Sequence, residues 1–399
     1  MAFRNATSPA SDSFESGHRL FFRALRRFLV AAPDIGTVSY TGTGNGQIGL
    51  IDTYPGAPAE TWTVEFTNAT NFTVTGSVSG AQAGGTVGTN YLAAGLIGFR
   101  INAGATPFVA GDRFTLPVTA SPNSGADVWV ENLYDHFATS GRLEWIGHGT
   151  GLAGADEIYV GMFESSTPAS QQWQIGLHGF TGFISGQPFA SQPGMSPDTK
   201  YVQLWNQGME YWIAVNGRRF VFVAQVSTTY HAGYAGFFLP YTTPGEYPYP
   251  LFIGGETTTP VAYTSTAATF THFIDQSFGS GANTAAYRRV DGVWQNLDGS
   301  NTNASMWPFA SVGGARNWLQ AMQTVAVGEY VLFPCIIIQR ANASAPLDAE
   351  VLGELDGIFA LTGFNNAAEN VVTVGAVDHL VVQNIFRTGR EHYWALRED

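Results

Sequence analysis

The run Glu210-Tyr-Trp-Ile-Ala-Val215, Asn216-Gly217, Arg218-Arg-Phe-Val-Phe-Val-Ala224 constrains the fold more than any other stretch of this chain. Apolar side chains alternate on both arms, and Asn-Gly tolerates two successive left-handed residues, so the segment predicts a hairpin closed by a type I′ turn. Shorter alternations recur at Trp62-Thr-Val-Glu-Phe66, Phe72-Thr-Val-Thr-Gly76, Leu96-Ile-Gly-Phe-Arg-Ile101 and Arg113-Phe-Thr-Leu-Pro-Val118, separated by Gly and Pro clusters. The 47 glycines and 14% aromatic residues suit short strands joined by tight turns. The expected class is all-β.

At 399 residues the chain has room for several cores. Residues 1–33 read as a basic amphipathic helix, 34–120 as a small Ig-like β-sandwich, and 125–255 as a larger, jelly-roll-like antiparallel sandwich rich in aromatics. Residues 256–328 read as a loop-rich connection with a candidate strand at 268–273, and 329–399 as a C-terminal β-rich region. Within 125–255, strands are expected at 157–163, 173–177 and 201–205, whereas 239–250 carries too many prolines for a central strand.

The helix is expected over 13–32, with Leu20, Leu25, Phe28 and Leu29 at helical spacing and Arg19, Arg23 and Arg26 interleaved, and Pro33 ending it. Its basic character sets it apart from a chain of net charge −13. Its apolar face has to be covered, by its own sheet or a neighbouring subunit, by a groove in a partner, or by a membrane surface. The first is the leading expectation. Docking in a partner would make the helix an anchor.

Charged residues make up 12% of the chain, about half the usual share of roughly 25%. A lysine-poor, acidic chain, with Lys200 as its one lysine, argues against sequence-independent nucleic-acid binding, which relies on phosphate neutralisation. No apolar run approaches the roughly 20 residues that span a bilayer, and the N-terminus lacks a secretory signal's order, so a chain made in a cytoplasm and staying soluble is expected. Cys335, the single cysteine, sits among isoleucines and reads as a core residue.

Signals for chemistry are sparse. Eight scattered histidines show no metal-ligand spacing, Gly42-Thr-Gly44-Asn-Gly46 lacks the lysine of a phosphate loop, and no nucleophile elbow is present. Asp156 with Glu157, or Glu144 with Glu164, would have to flank a sugar to act as a glycosidase pair. No enzymatic activity, cofactor or metal is expected. Trp205, Asn206, Tyr211, Trp212, Tyr241, Tyr247 and Tyr249 form an aromatic set that suits either a core or subunit contact, or a surface stacking against glycan rings.

Two stretches carry a resemblance. The first runs from Gly44-Asn-Gly-Gln-Ile-Gly through Glu60-Thr-Trp-Thr-Val, Phe72-Thr-Val-Thr-Gly-Ser-Val and Ile97-Gly-Phe to Ala105-Thr-Pro-Phe-Val-Ala-Gly-Asp-Arg-Phe-Thr. It resembles a small β-module of phage head-decoration and tail proteins. The second includes Tyr234-Ala-Gly-Phe-Phe-Leu-Pro-Tyr, Glu246-Tyr-Pro-Tyr-Pro-Leu and Val377-Asp-His-Leu-Val-Val-Gln-Asn-Ile-Phe-Arg. It resembles virion structural proteins of long-tailed bacteriophages. The resemblance implies a tail or baseplate component that assembles with itself, as a trimer, and with other tail or baseplate proteins. A receptor- or glycan-binding fibre component and a capsid decoration protein are the alternatives. It carries over no active-site residue.

Overall fold

A computed structural model describes the chain apart from residues 94, 124, 126, 155, 244, 266–270, 276–282, 298–303, 310–318, 325–327, 341–348 and 399. It is built from antiparallel sheets and one long helix, Gly17–Leu29. The all-β expectation holds.

A seven-stranded sheet lies at the centre, ordered Ala2–Thr7, Glu210–Val215, Arg219–Val226, Thr229–Phe237, Leu251–Gly254, Ala285–Arg288 and Trp294–Leu297. Alternate side chains leave it on opposite sides, and both sides are covered. Ile213, Val215, Phe220 and Phe222 pack with the helix and with a five-stranded sheet that includes Ile158–Thr167 and Gln172–Phe180. Trp212, Val221, Val223 and Tyr234 pack with a C-terminal sheet whose longest strand is Ala349–Leu361. Three β-layers therefore share two cores. Burial on both faces is why the central strands read as nearly unbroken apolar runs.

This arrangement joins segments that looked separate. The regions 125–255 and 329–399 meet across the central sheet, and 256–328 supplies Ala285–Arg288, Trp294–Leu297 and Ala304–Trp307. Of the candidate strand 268–273, residues 268–270 lie outside the described part, while Thr271, His272 and Phe273 are buried between layers without strand pairing. Residues 1–33 are not helix alone. Ala2–Thr7 is the first strand of the central sheet, paired with Glu210–Val215.

The hairpin forms, but its register differs from the expected one. Val215 faces Phe220, and the amide of Asn216 donates to the carbonyl of Arg219 at 3.0 Å, so Gly217-Arg218 form the tip. Neither Asn216 nor Gly217 has positive φ, which excludes type I′. The cause is the Asn216 side chain. Its oxygen accepts the amides of Arg218 and Arg219, both at 2.9 Å, and its nitrogen donates to Asp356 at 2.8 Å. The shift is two residues, so every side chain keeps its face.

The small sandwich appears as expected. A sheet ordered Asp34–Ile35, Arg113–Thr119, Glu60–Phe66, Asn71–Gly76, Gly80–Thr86 faces a three-stranded sheet of Gln47–Thr53, Ile97–Asn102 and Asn90–Ala93. Trp62, Val64, Phe72, Phe99 and Leu116 fill the space between, and Phe66 stacks on Phe108 at 3.8 Å.

The helix starts later than residue 13 because Asp12 caps a separate turn, accepting the amides of Phe14 and Glu15 at 2.7 and 2.6 Å. Gly17 is required at the first helical position, since a Cβ there would lie 1.9 Å from the carbonyl oxygen of Gln207. Phe222, fully buried and touching Phe21 at 5.6 Å between ring centroids, links helix and central sheet. Phe222→Ala is expected to cost about 3–5 kcal/mol, read as a lower urea midpoint with an unchanged slope.

Candidate functional site

Three helix arginines meet one carboxylate. Asp52 of the small sandwich lies 3.4 Å from Arg23, 3.7 Å from Arg26 and 3.0 Å from Arg27, and it is fully buried. Arg23 also forms a bidentate pair with Glu15 at 2.6 and 2.8 Å, and donates to the hydroxyl oxygen of Tyr134 at 2.8 Å and to the carbonyl of His136 at 3.0 Å. Arg26 forks onto Glu131 at 2.7 and 2.6 Å and donates to the carbonyl of Thr53. Its guanidinium lies over the ring of Tyr134 at 4.1 Å. Arg27 reaches Asp34 at 3.2 Å, which also pairs with Arg4 at 2.7 Å. Burial alone would raise the pKa of Asp52, but the adjoining Arg27, Arg26 and Arg23 hold it far below the usual carboxylate range.

The helix therefore has no free basic face. Arg19 pairs with buried Glu164 at 2.9 Å, beside His18 at 2.8 Å, and Phe28, Leu25 and Leu29 are fully buried, with Leu20 half-buried. Internal packing is the arrangement seen, and the set once considered for anchoring joins the small sandwich to the β-layers. The acids that complete it, Glu15, Asp34, Asp52 and Glu131, were not singled out in the sequence. The available signal was the excess of arginine itself, since a buried guanidinium demands a carboxylate.

The seven-residue aromatic set is dispersed. Tyr211 is buried under Phe21 with ring centroids 5.1 Å apart, while Trp212 leaves the opposite side of its strand and is buried in the second core. Trp205 is half-buried against Tyr263, and the carbonyl of Asn206 accepts the Gly17 amide at 2.9 Å, bracing the helix start. Tyr241 is exposed and donates to Glu354 at 2.6 Å. Tyr247 is buried and donates to the carbonyl of Arg288 at 2.8 Å.

Tyr249 is 38% exposed and lines a cleft of about 470 Å³ with Leu152, Asp156, Glu157, Phe237 and Pro248. The fold thus brings Asp156 and Glu157 to two tyrosines of the set, since Tyr247 lines the same cleft. Glu144 and Glu164 do not form a second site, because Glu144 pairs with Arg142 at 2.8 Å and Glu164 is committed to the helix. Lys200 is buried, donating to the carbonyl of Asn283 and the side chain of Asn296 at 2.8 and 2.9 Å, and burial lowers its pKa to about 8. Cys335 is buried, which pushes its thiol pKa upward.

No protein-family model and no curated protein matches the chain. Two crystal forms of FlgL from Xanthomonas campestris align at 23% identity with a TM-score of 0.18, covering 24% of this chain. The aligned part is 33% of FlgL. A likeness of that size carries no argument.

Asp52→Asn removes the buried carboxylate charge shared by three guanidiniums and is expected to destabilise the protein by about 3–5 kcal/mol, measured by chemical denaturation. Acid should act in two ranges. Burial lowers His136, His178 and His272 from 6.5 to about 4, so the unfolded chain binds more protons and stability falls as pH drops from 6.5 towards 4. Burial opposes ionisation of Glu164, but hydrogen bonds from His18 and Arg19 hold it at about 2, so its contribution is lost from 4.5 towards 2. Melting temperature followed from pH 8 to 2 should decline across both ranges, and Glu164→Gln should flatten only the lower one.

Proposed function

We propose that this chain is a structural component of a tailed-phage particle, of tail or baseplate type, that works by assembling with copies of itself and with neighbouring proteins. The observation that carries the reading is the nearly charge-free surface of the small sandwich. Its seven charged residues are Asp34, Asp52, Glu60, Glu65, Arg100, Asp112 and Arg113. Asp52, Glu60 and Asp112 are buried, and Asp34 is half-buried between two arginines. Glu60 accepts the amides of Val78 and Ser79 at 2.8 and 2.9 Å, and Asp112 those of Thr43, Gly44 and Val109 at 3.0 to 3.1 Å.

Only Glu65, Arg100 and Arg113 remain to charge that surface. The threonines 61, 63, 73, 75 and 115 occupy much of one face, and Val78, Leu92 and Val109 are exposed at 69, 52 and 49%. The last strand of this sheet, Gly80–Thr86, has one strand neighbour and carries neither charge nor proline. Single soluble chains usually protect such edges with charge, proline or a bulge. Here a bulge between Gln82 and Gly85 is the one such device on the strand, and depletion of charge is what the centre of a protein interface favours.

A net charge of −13 sets copies of the chain against one another everywhere else. The small sandwich is the region through which they can approach, and its free edge offers backbone groups for pairing. The resemblance of both stretches to virion proteins agrees with this reading, and a threefold assembly is the expected state. Sedimentation of the purified chain should show an oligomer, and Ala83→Lys, which puts a charge on the exposed edge, should shift it to monomer at unchanged melting temperature. A wild-type chain that sediments as a monomer at working concentrations would sink the proposal.

A further inference from the structure

We propose that the cleft beside Tyr249 is a binding site for a neutral saccharide. Its volume of about 470 Å³ lies within the range of small-molecule sites, and its walls combine apolar and polar groups as such sites do. Leu152, Phe237 and Pro248 supply apolar surface, and Asp156 and Glu157 supply two exposed carboxylates.

The tyrosine is held rather than loose. Its φ is 54°, a left-handed backbone unusual for a bulky residue, and such conformations persist where the surroundings fix them. The guanidinium of Arg288 lies over its ring at 5.2 Å and is itself fixed by the carbonyls of Pro248 at 3.2 Å and Gly292 at 3.1 Å. The carbonyl of Tyr249 accepts the amide of Leu251 at 2.7 Å. A partly exposed aromatic ring therefore stands in a fixed orientation in the cleft.

The carboxylates retain acceptor capacity. One oxygen of Asp156 takes the amide of Ala153 at 2.9 Å, and one oxygen of Glu157 takes the hydroxyl of Tyr159. Among the described residues the other oxygen of each accepts no protein hydrogen bond. Fixed acceptors next to a rigid ring call for a ligand with hydroxyl donors along its edge and a C–H face to lie on the ring, which describes a pyranose.

Charge narrows the class. Two carboxylates on a chain of net charge −13 disfavour an acidic sugar, and Arg288, already seated against the ring, disfavours an organic cation. This inference is independent of the assembly reading, since the cleft lies outside the small sandwich.

Saturation-transfer NMR on the intact chain with maltotriose, chitobiose and galactobiose tests it, with sialyllactose and tetramethylammonium as charged comparators. At least one neutral sugar should receive transfer at its ring protons, weakened by about tenfold in Tyr249→Ala, as expected for loss of one stacking ring. Glu157→Gln, a surface change with no fold to lose, should weaken it severalfold, and Tyr241→Ala should leave it unchanged. Absence of transfer to all three neutral sugars, transfer that survives Tyr249→Ala, or transfer confined to the charged comparators would overturn the proposal, while Ala83→Lys and its oligomeric state would be unaffected.

Discussion

The arrangement of this protein depends on one buried carboxylate. Asp52 belongs to the small sandwich, its arginine partners belong to the helix, and two further partners of those arginines, Glu131 and Tyr134, belong to the five-stranded layer. Each guanidinium satisfies several acceptors at once, which is what lets charge sit in an interior at all. The geometry is directional, so the pose of one body on the other is specified as well as held. An apolar junction of equal area would have tolerated sliding.

Charge is distributed with the same economy elsewhere. The interior holds Arg219, which donates to the carbonyls of Asp356 and Ala214 at 2.9 Å each, together with Lys200 and a chain of histidines around Glu256 and Asp275. Ionised groups are drawn inside to fix loops and layers, and the small sandwich is left almost neutral outside. Low overall charge in the sequence thus has a particular spatial meaning, because much of what charge there is faces inward.

Much of the local structure was legible in the sequence. Trp62 to Phe66 alternates cleanly because one face of its sheet is buried and the other wet, with the pattern buried, exposed, buried running through Glu60–Phe66. The helix was legible from its apolar spacing, and the hairpin from two apolar arms around Asn216-Gly217. The hairpin register was not, because Asn216 is oriented by Asp356, far along the chain. Ala349–Leu361 was hidden by Glu350, Glu354 and Asp356, acids that read as solvated but lie within a thirteen-residue strand. Tyr211 and Trp212 were open to either a core or a surface place, because nothing local tells that both faces of their strand are covered. Tyr249 and the Asp156–Glu157 pair were each noticed, yet only the three-dimensional path of 239–250 puts them in one cleft.

The strand Ala2–Thr7 has a further implication for how the chain comes into being. It is inserted at the edge of the central sheet against Glu210–Val215, about 200 residues later in the sequence, and its Ala2 and Ala6 contribute to one core while Phe3 contributes to the other. During translation Ala2–Thr7 leaves the ribosome about 200 residues ahead of Glu210–Val215, the strand it pairs with. The small sandwich, whose strands are close in sequence, can close on its own well before then. This part of the central sheet is therefore sealed late, and an interval exists in which a formed module is tethered to an unpaired β-strand. Any factor that shields a nascent chain would find its target in that interval.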